Sequence, residues 1–354
     1  MGGFARAACR QRYPGGMVSL EPASRRLRRR LVTIPRHLLL LALGLALAPL
    51  LVPTLLVVDA ARWLARRTPF MALRLYGFGV WYLAVSVLTL LRGGVQWVRA
   101  GFGRDRQRLQ DLAFHLRVDW TTWLLAGASR AFRLRFESEG LGDAAPGPVL
   151  VLPRHASVVD NLLPTTFIEG PCDLLLRYVV KAQLRAEPCI DIGGSRLPVA
   201  FIDRGAAGEA TKLEAFFADM GPKEGALIYP EGTRFSPSRR ERRLEQLREQ
   251  DPERATRAEA LRHLLAPKPG GFLAAMRAAP TADIAILGHV GFDGFTRVDD
   301  IWAGALLGRT VRMKLTRYSR SELPSEPGAI VDWLDDRWEE LDAWIEGALK
   351  AGDA

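Results

Sequence analysis

The hydrophobic pattern changes character along the chain. Leu38 to Val58 runs for 21 residues without a charge, long enough for a membrane-embedded helix. Pro49 and Pro53 interrupt it, which predicts a kinked or re-entrant segment. A second apolar stretch, Leu75 to Leu91, contains Trp81 and Tyr82 and stops at Arg92. Between Leu112 and Ala128, Trp120, Trp123, Leu124 and Leu125 mix with charges, predicting a helix at the membrane boundary or one packed on the core. Phe132, Leu134 and Phe136 then alternate with Arg133, Arg135 and Glu137, the period of a strand with one wet face. Short apolar runs follow at 149–152, 174–180, 198–202, 226–229 and 284–287, with helical spacing from Gly208 to Met220. Ile330, Leu334, Trp338, Leu341, Ile345 and Leu349 recur at steps of four and three, which predicts an amphipathic helix. The alternation of strands and helices predicts an α/β fold. Its mixed sheet is flanked by helices and preceded by an N-terminal pair of membrane-embedded helices.

The expected organisation is a basic tail (1–33), a two-helix membrane anchor (34–92) and interfacial connecting helices (93–130). An α/β domain (131–320) follows, with a charged helical insertion (236–266) read as solvated, then the C-terminal amphipathic helix (321–354). Arg25, Arg26, Arg28, Arg29 and Arg30 in the tail read as a juxtamembrane patch for anionic lipid. A secretory or twin-arginine signal begins in a similar way. Here, though, the uncharged run continues past Ala46-Leu47-Ala48 and a second apolar segment follows, so both helices are read as retained. Arginines flank both segments, so charge asymmetry does not separate a spanning hairpin from a pair dipping into one leaflet. Either arrangement returns the α/β domain to the cytosol.

Only six of the 49 basic residues are lysines, and the net charge of +10 favours an anionic partner. Cys9, Cys172 and Cys189 form no CxxC pair, which fits a reducing compartment and argues against a metal site. There is no Gly-x-Gly-x-x-Gly for a dinucleotide and no nucleic-acid-binding motif.

Three polar clusters follow short apolar runs: His155 to Asp160, Asp203-Arg204, and Glu231-Gly232-Thr233-Arg234. Ligands of open α/β sheets sit at the carboxyl ends of strands. A histidine there, with an aspartate to fix its tautomer, is the minimal equipment for a general base. With no Gly-x-Ser-x-Gly elbow, a serine nucleophile is unsupported, so the hydroxyl to be activated belongs to the substrate. Arg204 and Arg234, with Lys181, would cradle a phosphate, and Gly232 would allow close backbone approach. Each cluster also has a structural reading as a hydrogen-bonded pair, a surface ion pair or a turn.

His-x4-Asp, then Phe-Ile-Asp-Arg, then Tyr-Pro-Glu-Gly-Thr-Arg resembles the motif series of the glycerophospholipid acyltransferases, over roughly residues 130 to 345. The charged insertion, the Pro-Lys-Pro-Gly-Gly-Phe after it and the tail with Trp333 and Trp338 resemble the long-form, eukaryotic-like branch. The resemblance implies acyl transfer from acyl-CoA or acyl-carrier protein to the hydroxyl of lysophosphatidic acid, with no other cofactor. His155 would be the base and Asp160 its orienter. Arg204, Glu231, Gly232, Thr233 and Arg234 would serve the acceptor, with Lys181 near its phosphate. Two features depart from the family: Arg154 stands where asparagine is usual, and residues 284–294 lack the proline of a fourth motif. They keep open another lysolipid acceptor, such as lysophosphatidylglycerol, lysocardiolipin or a lyso-aminolipid. The arginine surplus also allows a non-catalytic membrane-anchored binding protein.

Overall fold

The computed structural model describes residues 21–157, 159–202, 214–293 and 298–352. Among these, seven strands form one mixed sheet in the order β1-β7-β6-β2-β5-β3-β4. They are β1 (Arg135–Glu139), β2 (Val149–Pro153), β3 (Leu175–Lys181), β4 (Val199–Ile202), β5 (Glu224–Leu227), β6 (Asp283–Val290) and β7 (Thr310–Tyr318). β6, β2, β5, β3 and β4 run parallel, while β7 is antiparallel to β6 and parallel to β1.

The uninterrupted apolar run of β2 has a simple cause: every residue of the strand is buried, because helices cover both faces. Val149 and Val151 pack into one cluster with Phe132, Leu163 and Phe292. Leu150 and Leu152 face the other, with Phe272 and Trp338. At about 1.5–3 kcal/mol for each buried aliphatic side chain, this central strand anchors the loop that follows it.

Several elements differ from the sequence-based expectation. Phe132 ends a long helix, and β1 begins only at Arg135, after Arg133 turns the chain with a φ of 55°. β7 has no expected counterpart, although Val311, Met313 and Leu315 are buried at alternate positions. The cations between them, Arg312 and Lys314, mask the pattern until β1 and β6 are seen to flank the strand. The insertion is not a solvated excursion. Its helices, Pro237–Gln250 and Pro252–Glu259, bury Leu244, Leu247, Ala255 and Ala258. Arg254 and Arg257 pair with Asp335 at 2.6 Å and Glu339 at 2.7 Å on the C-terminal helix Pro327–Gly352. The apolar stripe is thin, and its partner lies some 80 residues away in the chain.

At the N-terminus, α1 (Ala23–Ala46), α2 (Ala48–Arg66), α3 (Ala72–Arg99) and α4 (Arg106–Phe132) precede the sheet. The expected kink lies at Leu47, with Pro49 tolerated in the first turn of α2, where its missing N–H costs nothing. α1 starts inside the basic stretch, and Arg30 Nε reaches Asp191 at 2.6 Å beyond β3. The buried carboxylate of Asp59 accepts the N–H groups of Met71, Ala72 and Leu73 at 3.0–3.1 Å, supplying an anion to the N-terminus of α3. α2 and α3 are each long and apolar enough to cross a membrane. Among the described residues, all exposed large hydrophobic side chains except Leu184 and Trp302 lie between Leu27 and Phe102. A contiguous apolar surface of this kind marks contact with lipid or another apolar partner.

Candidate active site

The parallel ends of β6, β2, β5 and β3 are neighbours in the sheet and deliver His289, His155, the Tyr229–Arg234 turn and Lys181 to one edge. His155 follows β2 by two residues. Its Nδ1 lies 3.3 Å from Asp160 Oδ2, and Nε2 has no hydrogen-bond partner among the described residues. The imidazole side chain retains 17% exposure, while that of Asp160 retains 1%. The ring leans on Tyr229, with centroids 4.4 Å apart, and the Tyr229 hydroxyl donates to Asn161 Oδ1 at 3.0 Å. One ring nitrogen is thus held by a carboxylate while the other faces outward, the arrangement a general base requires.

Asp160 is fixed by its own turn. Ser157 donates its backbone N–H to Oδ2 and its hydroxyl to Oδ1, both at 2.7 Å. Burial pushes this carboxyl up, but the positive field of His289 and the hydrogen bonds from His155 and Ser157 outweigh it, holding the group below the usual carboxylate range. Asp160 is therefore an anion that can stabilise an imidazolium as it forms.

Glu231 meets different neighbours from those expected of an acceptor-binding group. It is 1% exposed; Oε1 accepts the His155 N–H at 2.7 Å and Oε2 the Leu265 N–H at 3.0 Å. Burial pushes its carboxyl up to about 8, against the downward pull of those two N–H groups and of Arg154. Gly232 has a φ of +68°, and a Cβ there would come within 3.4 Å of the Lys268 side chain. Thr233 and Arg234 are half-buried, and no ion pair holds the Arg234 guanidinium among the described residues. Lys181 is exposed at the end of β3. Asp203 and Arg204 lie outside the described residues.

Arg154 is 1% exposed. Its guanidinium donates to His289 O at 2.7 Å, to His263 O at 3.2 Å and to Asp293, while its N–H reaches Leu287 O at 3.0 Å. It locks the end of β2 to β6 and to the 261–268 segment. The C-terminal helix secures that segment: Asp342 accepts the N–H of His263 at 2.8 Å, and Trp338 Nε1 donates to Leu265 O at 3.1 Å. Neither this strap nor His289 figures among the candidate residues read from the sequence. His289 ends an apolar run as His155 does, and that was the available signal. Among the described residues no group of three His, Cys, Asp or Glu side chains could hold a metal ion.

Residues 135–289, from the first residue of β1 to His289, match the model of the family described as Acyltransferase. A solved structure similar to this chain is the 1-acyl-sn-glycerophosphate (LPA) acyltransferase PlsC from Thermotoga maritima. The two are 16% identical, and the alignment covers 74% of this chain and 96% of that one at a TM-score of 0.44. No curated protein matches the chain.

Proposed function

We propose that the protein is a membrane-bound acyltransferase that moves a fatty acyl group from acyl-CoA or acyl-carrier protein to the free hydroxyl of lysophosphatidic acid, giving phosphatidic acid. The observation that carries this reading is the His155–Asp160 pair, with one imidazole nitrogen on a buried carboxylate and the other, at a strand end, without a partner among the described residues. In the reaction His155 Nε2 accepts the hydroxyl proton as the lipid oxygen attacks the thioester carbonyl. The tetrahedral intermediate collapses, the carbon–sulfur bond breaks, and the imidazolium returns its proton to the departing thiolate. Asp160 holds the ring and stabilises its charged form.

A phosphorylated acceptor is favoured by Arg234, a half-buried cation in the turn beside His155, with Lys181 at the next strand end; Arg204, which the sequence adds to this cradle, lies outside the described residues. The exposed apolar surface of α1 to α3 supports embedding in lipid, and the absence of a CxxC pair in the sequence is what favours the cytosolic side for the α/β domain. Arg154 keeps a different lysolipid acceptor open, but its burial against backbone oxygens supports a role in holding the loop instead.

Mass analysis of lipid products from membranes carrying wild-type or His155→Ala protein tests the proposal. Removing a general base costs about 10²–10⁴ in rate. Near-normal turnover by purified His155→Ala protein would sink the mechanism. An unchanged lipid profile when both His155 and Asp160 are replaced would instead favour a non-catalytic binding protein. A panel of lysolipids offered with one labelled acyl donor identifies the acceptor.

A further inference from the structure

Asp160 has a second histidine on its other oxygen. His289 lies near the end of β6, two residues beyond Leu287, which pairs with Pro153 of β2. The ring is 1% exposed, and neither nitrogen makes a hydrogen bond among the described residues. Its Nε2 stands 3.6 Å from Asp160 Oδ1, within ion-pair reach but too long for a hydrogen bond. The edge of the ring meets Phe292, with centroids 6.2 Å apart. A buried imidazole with both nitrogens unsatisfied is unfavourable compared with an apolar side chain of similar size, so its presence calls for a reason.

Asp160 supplies that reason. Oδ2 serves His155 and the Ser157 N–H, whereas Oδ1 serves the Ser157 hydroxyl and faces His289. The two imidazoles therefore approach opposite oxygens of one carboxylate. We infer that His289 is a positioning residue that shares Asp160 with His155 and so sets how strongly His155 holds the substrate proton; this rests on the reading of His155 as the base. Whatever negative charge Asp160 directs at His289 is withdrawn from His155. Replacing His289 by an apolar ring returns the whole carboxylate to His155, which then retains its proton to higher pH.

The other charged and titratable groups around His289 stay in place under that change. Arg154, from β2, binds the backbone oxygen of His289 and pairs with Asp293, neither of which depends on the imidazole. On β7, Arg312 pairs with Glu137 and Lys314 with Glu139. From the C-terminal helix, Leu341 and Trp344, both uncharged, cover the adjacent Gly288. Glu231 and Tyr229 act on the His155 side of the pair.

The test uses the full chain in detergent or reconstituted vesicles. kcat/KM is followed against pH for wild type, His289→Phe, His289→Gln and His155→Ala. His289→Phe is expected to move the acidic limb of the profile upward by about half a unit or more, the scale on which a neighbouring charge acts. KM for both substrates should stay within about twofold, because this change acts on the proton and not on binding. His289→Gln keeps an N–H donor near Asp160 and should restore most of the wild-type profile. If both variants fold and their acidic limbs coincide with wild type, the inference is overturned and His289 is only a packing residue. Near-normal turnover by His155→Ala overturns the general-base reading itself; loss of turnover there, with an unmoved limb in His289→Phe, overturns this inference alone. If His289→Phe does not fold, ¹⁵N-histidine spectra of wild type and His289→Leu, which also removes the N–H donor, decide, since the chain has only five histidines. A change in the pH response of the His155 ring supports the coupling, and superimposable curves refute it.

Discussion

Glu231→Ala separates two roles that the same residue could have. If the carboxylate binds acceptor, its loss raises the acceptor KM and leaves the fold alone. The geometry assigns it a different task, since its two oxygens are the partners of the backbone N–H groups of His155 and Leu265. Alanine leaves both donors without a partner, and Leu265 is only 2% exposed, so water does not readily replace the lost oxygen. At about 1–3 kcal/mol for each buried donor left unsatisfied, the expected loss is about 2–6 kcal/mol. That is a large part of the 5–15 kcal/mol by which a typical domain is stable. At about 2–4 °C per kcal/mol for a domain of this size, the melting temperature should fall by at least about 4 °C. Freed from Glu231, the backbone at His155 shifts relative to Asp160, and a displacement of about 1 Å costs roughly 10²-fold in rate. The assays are thermal melting of purified protein and steady-state acyl transfer with acceptor and donor varied separately. An unchanged melting temperature together with a raised acceptor KM at wild-type kcat would refute the reasoning and restore Glu231 to the acceptor site.

Asp160→Asn should lower kcat by about 10²–10⁴, since an amide neither stabilises the imidazolium nor fixes the same tautomer; a loss under tenfold would argue against the orienting role. Arg154→Ala breaks a buried ion pair and abandons the oxygens of His289 and His263, so it should destabilise by about 3–5 kcal/mol. A stable Arg154→Ala protein with altered acceptor preference would contradict its structural assignment. Trp338→Ala, at a side chain with no exposure, should cost about 3–5 kcal/mol in denaturant melts and reduce kcat through the strap that holds Leu265 against Glu231. Stability should also depend on pH with two opposite signs. Asp160 titrates below its ordinary 3.8 in the fold, so its contribution is present above that value and is lost as pH falls beneath it. Glu231, raised from 4.5 to about 8, holds a proton that the unfolded chain has shed, so stability declines across that interval as pH rises. Melting temperatures of wild type, Asp160→Asn and Glu231→Gln across pH 3–9 check both slopes, and each variant should flatten its own.

Much of the site was legible because its residues are close in sequence. His155 and Asp160 are five positions apart on one turn after a wholly apolar strand, and that local pattern alone predicts a base with its orienter. The long uncharged run likewise specifies apolar helices wherever they end, since 21 residues without a charge cannot be buried in a small core. What local pattern could not supply were contacts whose partners are far along the chain. Glu231 in a Pro-Glu-Gly-Thr-Arg turn reads as a surface group, and only the approach of Leu265 and His155 makes it an internal staple. Arg154 reads only as a departure from the family's asparagine, and its task of holding backbone oxygens appears once β6 and the strap enclose it. The insertion looks solvated because 20 of the 31 residues from 236 to 266 are charged or polar; Arg254 and Arg257 find their carboxylates on a helix some 80 residues later. The sequence by itself therefore determined the histidine–aspartate pair and the long apolar helices, because each is encoded within a few turns of chain. Which polar groups are buried on internal partners and which stay open to solvent was decided by the tertiary structure. Burial and the identity of a distant partner govern whether a charge is spent on substrate or on the fold.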